Sequence, residues 1–388
     1  MFSARVPPLG SSRVARVVAR LRAGGGPLLD LTTSNPTTVG LTYPPDLLGS
    51  LDVPDGLVYR PHPRGHLEAR RSVADDLASR GVEVSPERIV LTASTSESYA
   101  VLFKLLCDPG DLALVPQPSY PLFDYLSRLE GVVSSPYQLE YYGRWRVDLD
   151  SVERGLEPRV RALLMVNPNN PTGSWMAADD LARVRELALR QDVALVSDEV
   201  FDRYTWDPAV ADRAGGLVND PDLLTFTLGG LSKAVGLPQV KLGWMVVGGP
   251  DRLVRRALER LDFICDSFLS VSTSVQLAAG TLLRAGRPVA DQIRARVRDN
   301  LGFLDEAVAR YPGIQRLRAE GGWYAVLQVP TLGSEEALVL GLLEEDGVLV
   351  HPGYFYDFPR ESFLILSLLS PTEEFRDAVA RVLPRASG

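Results

Sequence analysis

The feature that most limits the fold of this chain is a regular alternation of short apolar runs with helical segments. Apolar runs recur at 88–92, 112–115, 161–166, 193–197, 224–228 and 242–247. Segments with helical periodicity separate them, most clearly at 99–106 and 179–190. Short apolar runs of this kind are typical of strands buried on both faces, and helices between them permit parallel connections. The sequence therefore predicts an α/β fold on a mostly parallel sheet.

The last third of the chain follows a different pattern. A long arginine-rich segment at 276–311 has helical periodicity, and it is followed by apolar runs at 323–329 and 363–369 with a predicted helix at 335–345. This order predicts a smaller α+β domain, which we expect the N-terminal residues to join in space. We place the large domain at 46–279 and the small domain at 1–45 and 280–388.

Composition excludes several classes of protein. The 388 residues include 41 basic and 49 acidic side chains, and the net charge of −8 argues against a dedicated nucleic-acid binder. No apolar stretch approaches the roughly 18 residues that span a membrane. The two cysteines, Cys107 and Cys265, indicate free thiols in a reducing compartment. We expect a soluble, cytoplasmic protein without nucleic-acid or membrane partners.

Two polar motifs follow predicted strands. The segment 92–97 reads Thr-Ala-Ser-Thr-Ser-Glu, in which Ser94 and Glu97 fit a helix capping box. The same free N–H groups and hydroxyls would also suit a phosphate, so both interpretations stay open. The loop 167–173 reads Asn-Pro-Asn-Asn-Pro-Thr-Gly, and its prolines would hold an asparagine such as Asn170 rigidly enough to bind a ligand oxygen.

A carboxylate and a lysine occupy the ends of two further apolar runs. Asp198 follows the run 193–197, where it either caps the next turn or faces a ligand at the carboxyl edge of the sheet. Lys233 lies in the Gly/Ser-rich segment 229–236. Only three of the 41 basic residues are lysines, the others being Lys104 and Lys241. A site that keeps lysine in such a chain suggests a need for an amine that can lose its proton, which arginine cannot do.

Together these motifs resemble the class I/II aminotransferases, pyridoxal-phosphate-dependent enzymes of fold type I. The resemblance covers nearly the whole chain, and the intervals of 28 residues from Asn170 to Asp198 and 35 from Asp198 to Lys233 are typical of that family. It implies a large domain with a mostly parallel seven-stranded sheet between helices, and a smaller α+β domain. It also implies a homodimer that moves an amino group from a small-molecule donor to a keto acceptor.

The resemblance assigns roles to individual residues. Lys233 would form the Schiff base with pyridoxal 5'-phosphate and carry the proton, Asp198 would keep the pyridine nitrogen protonated, and Tyr120 would stack on the ring. Tyr59 would reach the cofactor phosphate of the neighbouring subunit. The other implied cofactor contacts are Ser94, Thr95, Ser96, Asn170, Phe201, Ser232 and Lys241.

Three positions near the expected cofactor depart from the family pattern. Phe201 stands where relatives usually have a tyrosine, so one hydrogen bond to the cofactor's phenolic oxygen is lost. Lys241 replaces an arginine and keeps the charge without the two-pronged fork. Gly230 stands where many relatives have a phosphate-binding serine.

The positions that bind the substrate in this family depart further from the family pattern. The segment 363–367 has Ile365 where relatives have the arginine that binds the substrate carboxylate. Either another arginine such as Arg60 takes over, or the substrate is not a standard α-amino acid. Residues 262–270 contain aspartates and no arginine, so we do not expect aspartate or glutamate to be the main donor.

Two other functions stay open from the sequence alone. A pyridoxal-phosphate-dependent β-lyase of the cysteine-S-conjugate type would use the same cofactor residues. A degenerate cofactor-binding module would account for the departures, although Lys233 and Asp198 are intact. The three histidines, His62, His66 and His351, are too scattered to predict a metal site.

Overall fold

The computed structural model describes residues 2–7, 10, 12–207, 217–330 and 333–388 of the chain. The α-helices are α1 (Arg13–Ala23), α2 (Leu67–Ala78), α3 (Thr95–Leu106), α4 (Leu122–Leu129), α5 (Leu149–Gly155), α6 (Ala178–Gln191), α7 (Leu231–Ala234), α8 (Asp251–Asp266), α9 (Thr273–Ala285), α10 (Arg287–Val308), α11 (Glu335–Glu344) and α12 (Thr372–Ser387). The strands are β1 (Leu29–Asp30), β2 (Ile89–Thr92), β3 (Leu112–Gln117), β4 (Val133–Tyr141), β5 (Trp145–Val147), β6 (Val160–Val166), β7 (Ala194–Asp198), β8 (Thr225–Gly230), β9 (Gly243–Gly248), β10 (Gln315–Arg316), β11 (Tyr324–Gln328), β12 (Val348–Leu349), β13 (His351–Pro352) and β14 (Phe363–Ser367).

The central sheet confirms the predicted α/β fold. Its strand order is β2-β9-β8-β7-β6-β3-β4-β5. The pairs β4–β3, β3–β6, β6–β7 and β7–β8 are parallel, and β9 runs antiparallel to both β8 and β2. The short strand β5 pairs antiparallel with β4 and extends the predicted set of seven by one edge strand among the described residues.

Both faces of the sheet are covered, which explains the continuous apolar runs in the sequence. Along β6, Ala162 and Leu164 pack with the core that includes α3 and α8, whereas Leu163 and Met165 pack with the core that includes α6 and α10. Adjacent residues of a strand point to opposite faces, so each run must be apolar at every position.

The smaller sheet lies in the C-terminal region. Its antiparallel strands have the order β10-β11-β14-β13, and β1 near the N-terminus pairs in parallel with β12. The N-terminal segment therefore joins the C-terminal region, as the sequence suggested. The domain boundaries at 45/46 and 279/280 stay predictions. No described helix is long and apolar enough to cross a membrane.

The long helical segment predicted at 276–311 is two helices. Helix α9 ends before Gly286, and α10 begins at Arg287 with a proline in its first turn. A side chain on Gly286 would lie 2.6 Å from Cβ of Val235, so the glycine permits close packing at this junction. The periodicity continues through the break, which is why the sequence pattern did not show it.

A buried carboxylate holds the small sheet to α11. Glu335 is 4% exposed, and its side chain accepts backbone hydrogen bonds from Tyr354 (3.0 Å), Ser362 (3.1 Å) and Phe363 (2.8 Å). These N–H groups belong to the segment around β13 and to the start of β14. Because buried N–H groups are costly to leave unpaired, Glu335 fixes this segment against the helix.

We predict that Glu335→Ala destabilises the protein by about 3 kcal/mol, since three backbone donors lose their acceptor. Denaturant unfolding followed by circular dichroism measures the change. Glu336→Ala removes the same charge from the same helical turn and should change stability by about 0.5 kcal/mol or less. Equal effects of the two variants would contradict the anchoring role of Glu335.

Candidate active site

Loops that follow five strands of the central sheet converge on one cavity of about 300 Å³. Ser94 follows β2, Tyr120 follows β3, Asn170 follows β6, Asp198 ends β7, and Lys233 lies on α7 directly after β8. The carboxyl ends of parallel strands meet at one edge, which is the usual place for ligands in open α/β sheets. The predicted cofactor residues that line this cavity are Ser94, Thr95, Ser96, Tyr120, Asn170, Asp198, Phe201, Ser232, Lys233 and Lys241.

Asp198 is a buried carboxylate with two hydrogen bonds. The Tyr99 hydroxyl donates to Oδ2 at 2.9 Å, and the Val200 N–H donates to Oδ1 at 3.1 Å. Burial raises the pKa of Asp198 to about 6, while these donors and the charge of Lys233 oppose that rise. Asp198 therefore binds the turn after β7, as the capping interpretation expects, and also lines the cavity.

Lys233 presents its amine to the cavity from a short helix. Its Nζ donates to the backbone carbonyl of Ser34 at 3.1 Å and lies 4.8 Å from the ring centroid of Trp323. Burial lowers the pKa of the Lys233 amine to about 8, and the charge of Asp198 acts in the opposite direction. The Tyr204 hydroxyl holds the Lys233 carbonyl at 2.7 Å. The arrangement gives an amine that loses its proton at a lower pH than an ordinary lysine, near pH 8.

The three asparagines of the loop 167–173 have different surroundings. Asn167 accepts a hydrogen bond from the Met176 N–H (3.1 Å), and Asn169 joins the loops after β3 and β6 through Ser119 (3.0 Å) and other partners. Asn170, in contrast, has a buried Oδ1 without a hydrogen-bond partner among the described residues. A buried amide oxygen without a partner calls for a ligand, so the structure distinguishes Asn170 from its neighbours.

The N-terminus of α3 forms the cap that one interpretation of the segment 92–97 predicts. The Ser94 hydroxyl accepts from the Glu97 N–H at 3.2 Å, and Glu97 in turn accepts from the Ala93 N–H at 2.5 Å. With the Ser94 hydroxyl engaged in the cap, the hydroxyls of Thr95 and Ser96 and the helix N-terminus still line the cavity. This end can bind an anion.

A glycine brings β9 close to this helix start. A side chain on Gly243 would lie 3.0 to 3.2 Å from backbone atoms of Ser94, and Gly243 pairs with Thr92 across the sheet. Lys241, two residues before Gly243, therefore adds a cation to the same end of the cavity. Its backbone is left-handed, with φ of 60°. Nothing in the structure explains lysine rather than arginine here.

Several sequence-predicted residues lie apart from the cavity. Tyr59 is 73% exposed, and Arg60 is also exposed and does not line the cavity. Ile365 is fully buried in β14, in register with Val326. Within one chain, therefore, Arg60 does not replace the arginine that is absent at Ile365.

Several residues at the site were missed by sequence reasoning, Tyr324 among them. Tyr99 lies one helical turn after Thr95, a spacing that could have suggested it. Ser34, Tyr204 and Trp323 reach Lys233 from distant segments, and no local signal marks them. Phe201 packs edge-to-face on Trp323 at 5.2 Å. No group of three His, Cys, Asp or Glu that could hold a metal ion occurs in the part of the chain that the structure describes.

Comparison with known proteins identifies the family. The model of aminotransferase class I and II matches residues 57–382. The chain is 25% identical to the glutamate-pyruvate aminotransferase AlaA of Haemophilus influenzae over 95% of this chain and 93% of that protein. It is 27% identical to the alanine aminotransferase of Mycobacterium tuberculosis over 94% and 86%, respectively. The alanine aminotransferase of Pyrococcus furiosus has the same fold, with a TM-score of 0.88 at 23% identity and 98% coverage of each chain.

The fold and the cavity define a transferase of fold type I that depends on pyridoxal phosphate. The chain belongs to the class I and II aminotransferases and is a pyridoxal-phosphate-dependent aminotransferase.

The residues of the cavity fit this cofactor. An anion-binding helix N-terminus with Lys241 suits the phosphate, and Asn170 lines the same cavity with a side-chain Oδ1 that has no hydrogen-bond partner among the described residues. The Asp198 carboxylate suits a protonated ring nitrogen, and the Lys233 amine suits an aldehyde.

We predict that Lys233 in the apoprotein reacts with an amine-directed reagent with a midpoint near pH 8, because burial lowers its pKa. Peptide mapping by mass spectrometry resolves the reaction, since the chain has only three lysines. Lys104 on the surface of α3, paired with Glu130 at 2.6 Å, is the internal reference.

The matched variant is Asp198→Asn. Removing the carboxylate charge that raises the pKa of Lys233 should move the midpoint below that of the native protein. A reaction midpoint for Lys233 near pH 10 would contradict the lowered pKa of this amine. A midpoint that rises in Asp198→Asn would contradict the effect of the Asp198 charge on it.

Proposed function

We propose that Lys233 is the catalytic amine of a transamination between a small amino donor and a keto acceptor. The observation that carries this proposal is an amine with a pKa near 8 that faces a cavity lined by the buried carboxylate of Asp198. An amine of this kind is unprotonated often enough to attack an aldehyde at neutral pH, which an ordinary surface lysine is not.

The other cavity residues have complementary roles in the proposal. When bound, the cofactor supplies an electron-accepting ring for the chemistry at the substrate Cα. Asp198 holds a proton at the ring nitrogen, and Asn170 donates to the ring oxygen. Thr95, Ser96, Ser232 and Lys241 bind the phosphate through hydroxyls, the start of α3 and a positive charge. Tyr120 and Phe201 contribute aromatic surface beside the ring.

The Lys233 Nζ also moves a proton. With cofactor and donor bound, the Lys233 amine would lie beside the substrate Cα, where it would hold the proton that leaves this carbon and give it back within the same site. Its contacts favour this role, because the Ser34 carbonyl and the Trp323 ring keep Nζ in place. A general base works best when its pKa lies near the working pH, and the value of about 8 meets that condition.

We propose that neither aspartate nor glutamate is the main amino donor. Asp262, in the region where dicarboxylate-specific relatives have an arginine, instead accepts hydrogen bonds from Nε and Nη2 of Arg64, each at 2.6 Å. The relatives are named for glutamate-pyruvate, alanine and arginine-pyruvate transamination. Pyruvate is therefore the first keto acceptor to test.

We predict that the protein with bound cofactor yields a reducible covalent linkage on Lys233 and transfers amino groups to pyruvate. Lys233→Ala should lose the linkage and at least a hundredfold in transfer rate, the scale of a general base. Lys104→Ala is the control and should retain both. Reduction with borohydride followed by peptide mapping reports the linkage independently of the substrate.

A second measurement separates transfer from β-elimination. β-Chloroalanine without added acceptor releases pyruvate continuously if the enzyme eliminates, whereas a transaminase accumulates the aminated cofactor after one turnover. Sustained release as the dominant reaction, or a linkage that survives in Lys233→Ala, would overturn the proposal.

We also propose that the enzyme is a homodimer in which Tyr59 reaches the neighbouring cavity. In one chain Tyr59 is 73% exposed and Leu57 is 92% exposed. Both large side chains therefore present apolar surface to the solvent. Leu57 ends a short turn (Pro54–Leu57) that packs on α9, where Gly56 leaves room for Ser274, and Tyr59 follows that turn. An exposed apolar segment of this kind is typical of an interface. Cytoplasmic location stays a prediction from the sequence.

We predict that a mixture of Tyr59→Ala and Lys233→Ala chains, unfolded and refolded together, regains cofactor-dependent transfer. Each mixed dimer then contains one site with Lys233 from one chain and Tyr59 from the other, so about a quarter of all sites are complete. If Tyr59 acted within its own chain, mixing would restore nothing. Light scattering that gives the mass of a single chain would reject the dimer.

A further inference from the structure

The cavity has two chemically different ends on either side of Lys233. At one end lie the start of α3 and Lys241, which supply positive charge. At the other end lie Ser34, Tyr120 and Tyr324, which supply hydroxyls and aromatic rings. Among the described residues that line the cavity, Lys233 and Lys241 are the only cations. Once Lys241 binds the phosphate, the hydroxyl end has no positive charge of its own.

The strands behind this end are apolar and uncharged. Tyr324 of β11 is opposite Ser367 of β14, and two residues further along the same face Val326 is opposite Ile365. On the other side of Ile365 lies His351, which stacks on Phe355 with ring centroids 4.4 Å apart. Burial lowers the pKa of His351 to about 4, so the imidazole is neutral at physiological pH. No side chain of this face brings a cation to the cavity.

The Tyr324 hydroxyl belongs to the lining of the cavity and lies next to the side chains of Ser34 and Tyr356. Burial raises its pKa, so the hydroxyl keeps its proton at physiological pH and can donate to a group in the cavity.

We infer that this end binds an uncharged group, so that the preferred donors are primary amines or amides without a free α-carboxylate. The inference rests on the proposed transamination at Lys233 and names its substrate class. A carboxylate placed here would lose its hydration and meet hydroxyls but no cation, which costs far more than burying an amide or an aromatic ring. An amide carbonyl would accept from Tyr324, and an aromatic ring would pack on Tyr120.

Three donors that share one side chain test the inference with the native protein loaded with pyridoxal phosphate. L-Phenylalanine, L-phenylalaninamide and 2-phenylethylamine differ only at the group in question. Single-turnover conversion of the cofactor to its aminated form is followed by absorbance. We expect the second-order rate constants for the amide and the amine to exceed that for the acid by at least about tenfold.

The outcomes separate the two levels of the argument. If the acid reacts as fast as the amide or faster, the substrate inference is overturned while transamination at Lys233 stands, and a cation from the partner subunit would then complete the site. If no donor converts although the Lys233 linkage forms, the proposed function itself fails and the inference with it.

A variant tests the residue that the inference names. Tyr324→Phe removes one hydroxyl and should reduce the rate with phenylalaninamide about fivefold, with a smaller reduction for 2-phenylethylamine, which has no acceptor for the hydroxyl. Tyr142→Phe, on an exposed tyrosine bonded to Glu140, is the matched control and should leave both rates unchanged. Equal losses with both donors in Tyr324→Phe would contradict a hydrogen bond to the amide carbonyl.

Discussion

The electrostatic pair of Asp198 and Lys233 is the constraint on which the rest of the site depends. Burial acts on the two groups in opposite directions, raising the pKa of the carboxyl and lowering that of the amine. Each charge partly restores the ionised form of the other. The surrounding structure supplies what the pair lacks, since Tyr99 and the Val200 N–H donate to the carboxylate and the Ser34 carbonyl accepts from the amine. The result is a carboxylate that can hold a proton on a partner and an amine that can release its own.

The central sheet is the means by which this pair is brought together. Asp198 ends β7, Lys233 follows the neighbouring strand β8, and both strands are parallel and buried on both faces. A parallel arrangement brings successive carboxyl ends to one edge, so residues far apart in the chain meet without any local contact. The same edge collects Asn170 and the start of α3. The ends of neighbouring strands therefore position both charged groups at one edge of the sheet.

The two ends of the cavity differ in the chemical groups that they present to a ligand. The end near α3 combines a helix N-terminus with Lys241 and is suited to a permanent anion. The end near Tyr324 presents hydroxyls and aromatic rings, and the side chains of Ser34 and Tyr356 lie next to the Tyr324 hydroxyl. Ile365 and the neutral His351 behind it contribute packing but no charge. Relatives of this chain share its fold, whereas the chemistry of this second end is decided by a few side chains.

The sequence by itself determined the class of fold, and it predicted the residues that the structure brings together around one cavity. Apolar runs at successive strands predict a buried parallel sheet because both faces must be covered, and the spacing of Asn170, Asp198 and Lys233 identified the family. Local patterns could not show the break between α9 and α10, since Gly286 permits a close contact without changing the periodicity. Nor could they show that Ser34, Tyr204 and Trp323 surround Lys233, because these contacts join segments distant in the chain. The sequence shows which side chains are available. Their pKa values, and which polar groups stay unpaired, depend on burial. Burial exists only once the tertiary structure has formed.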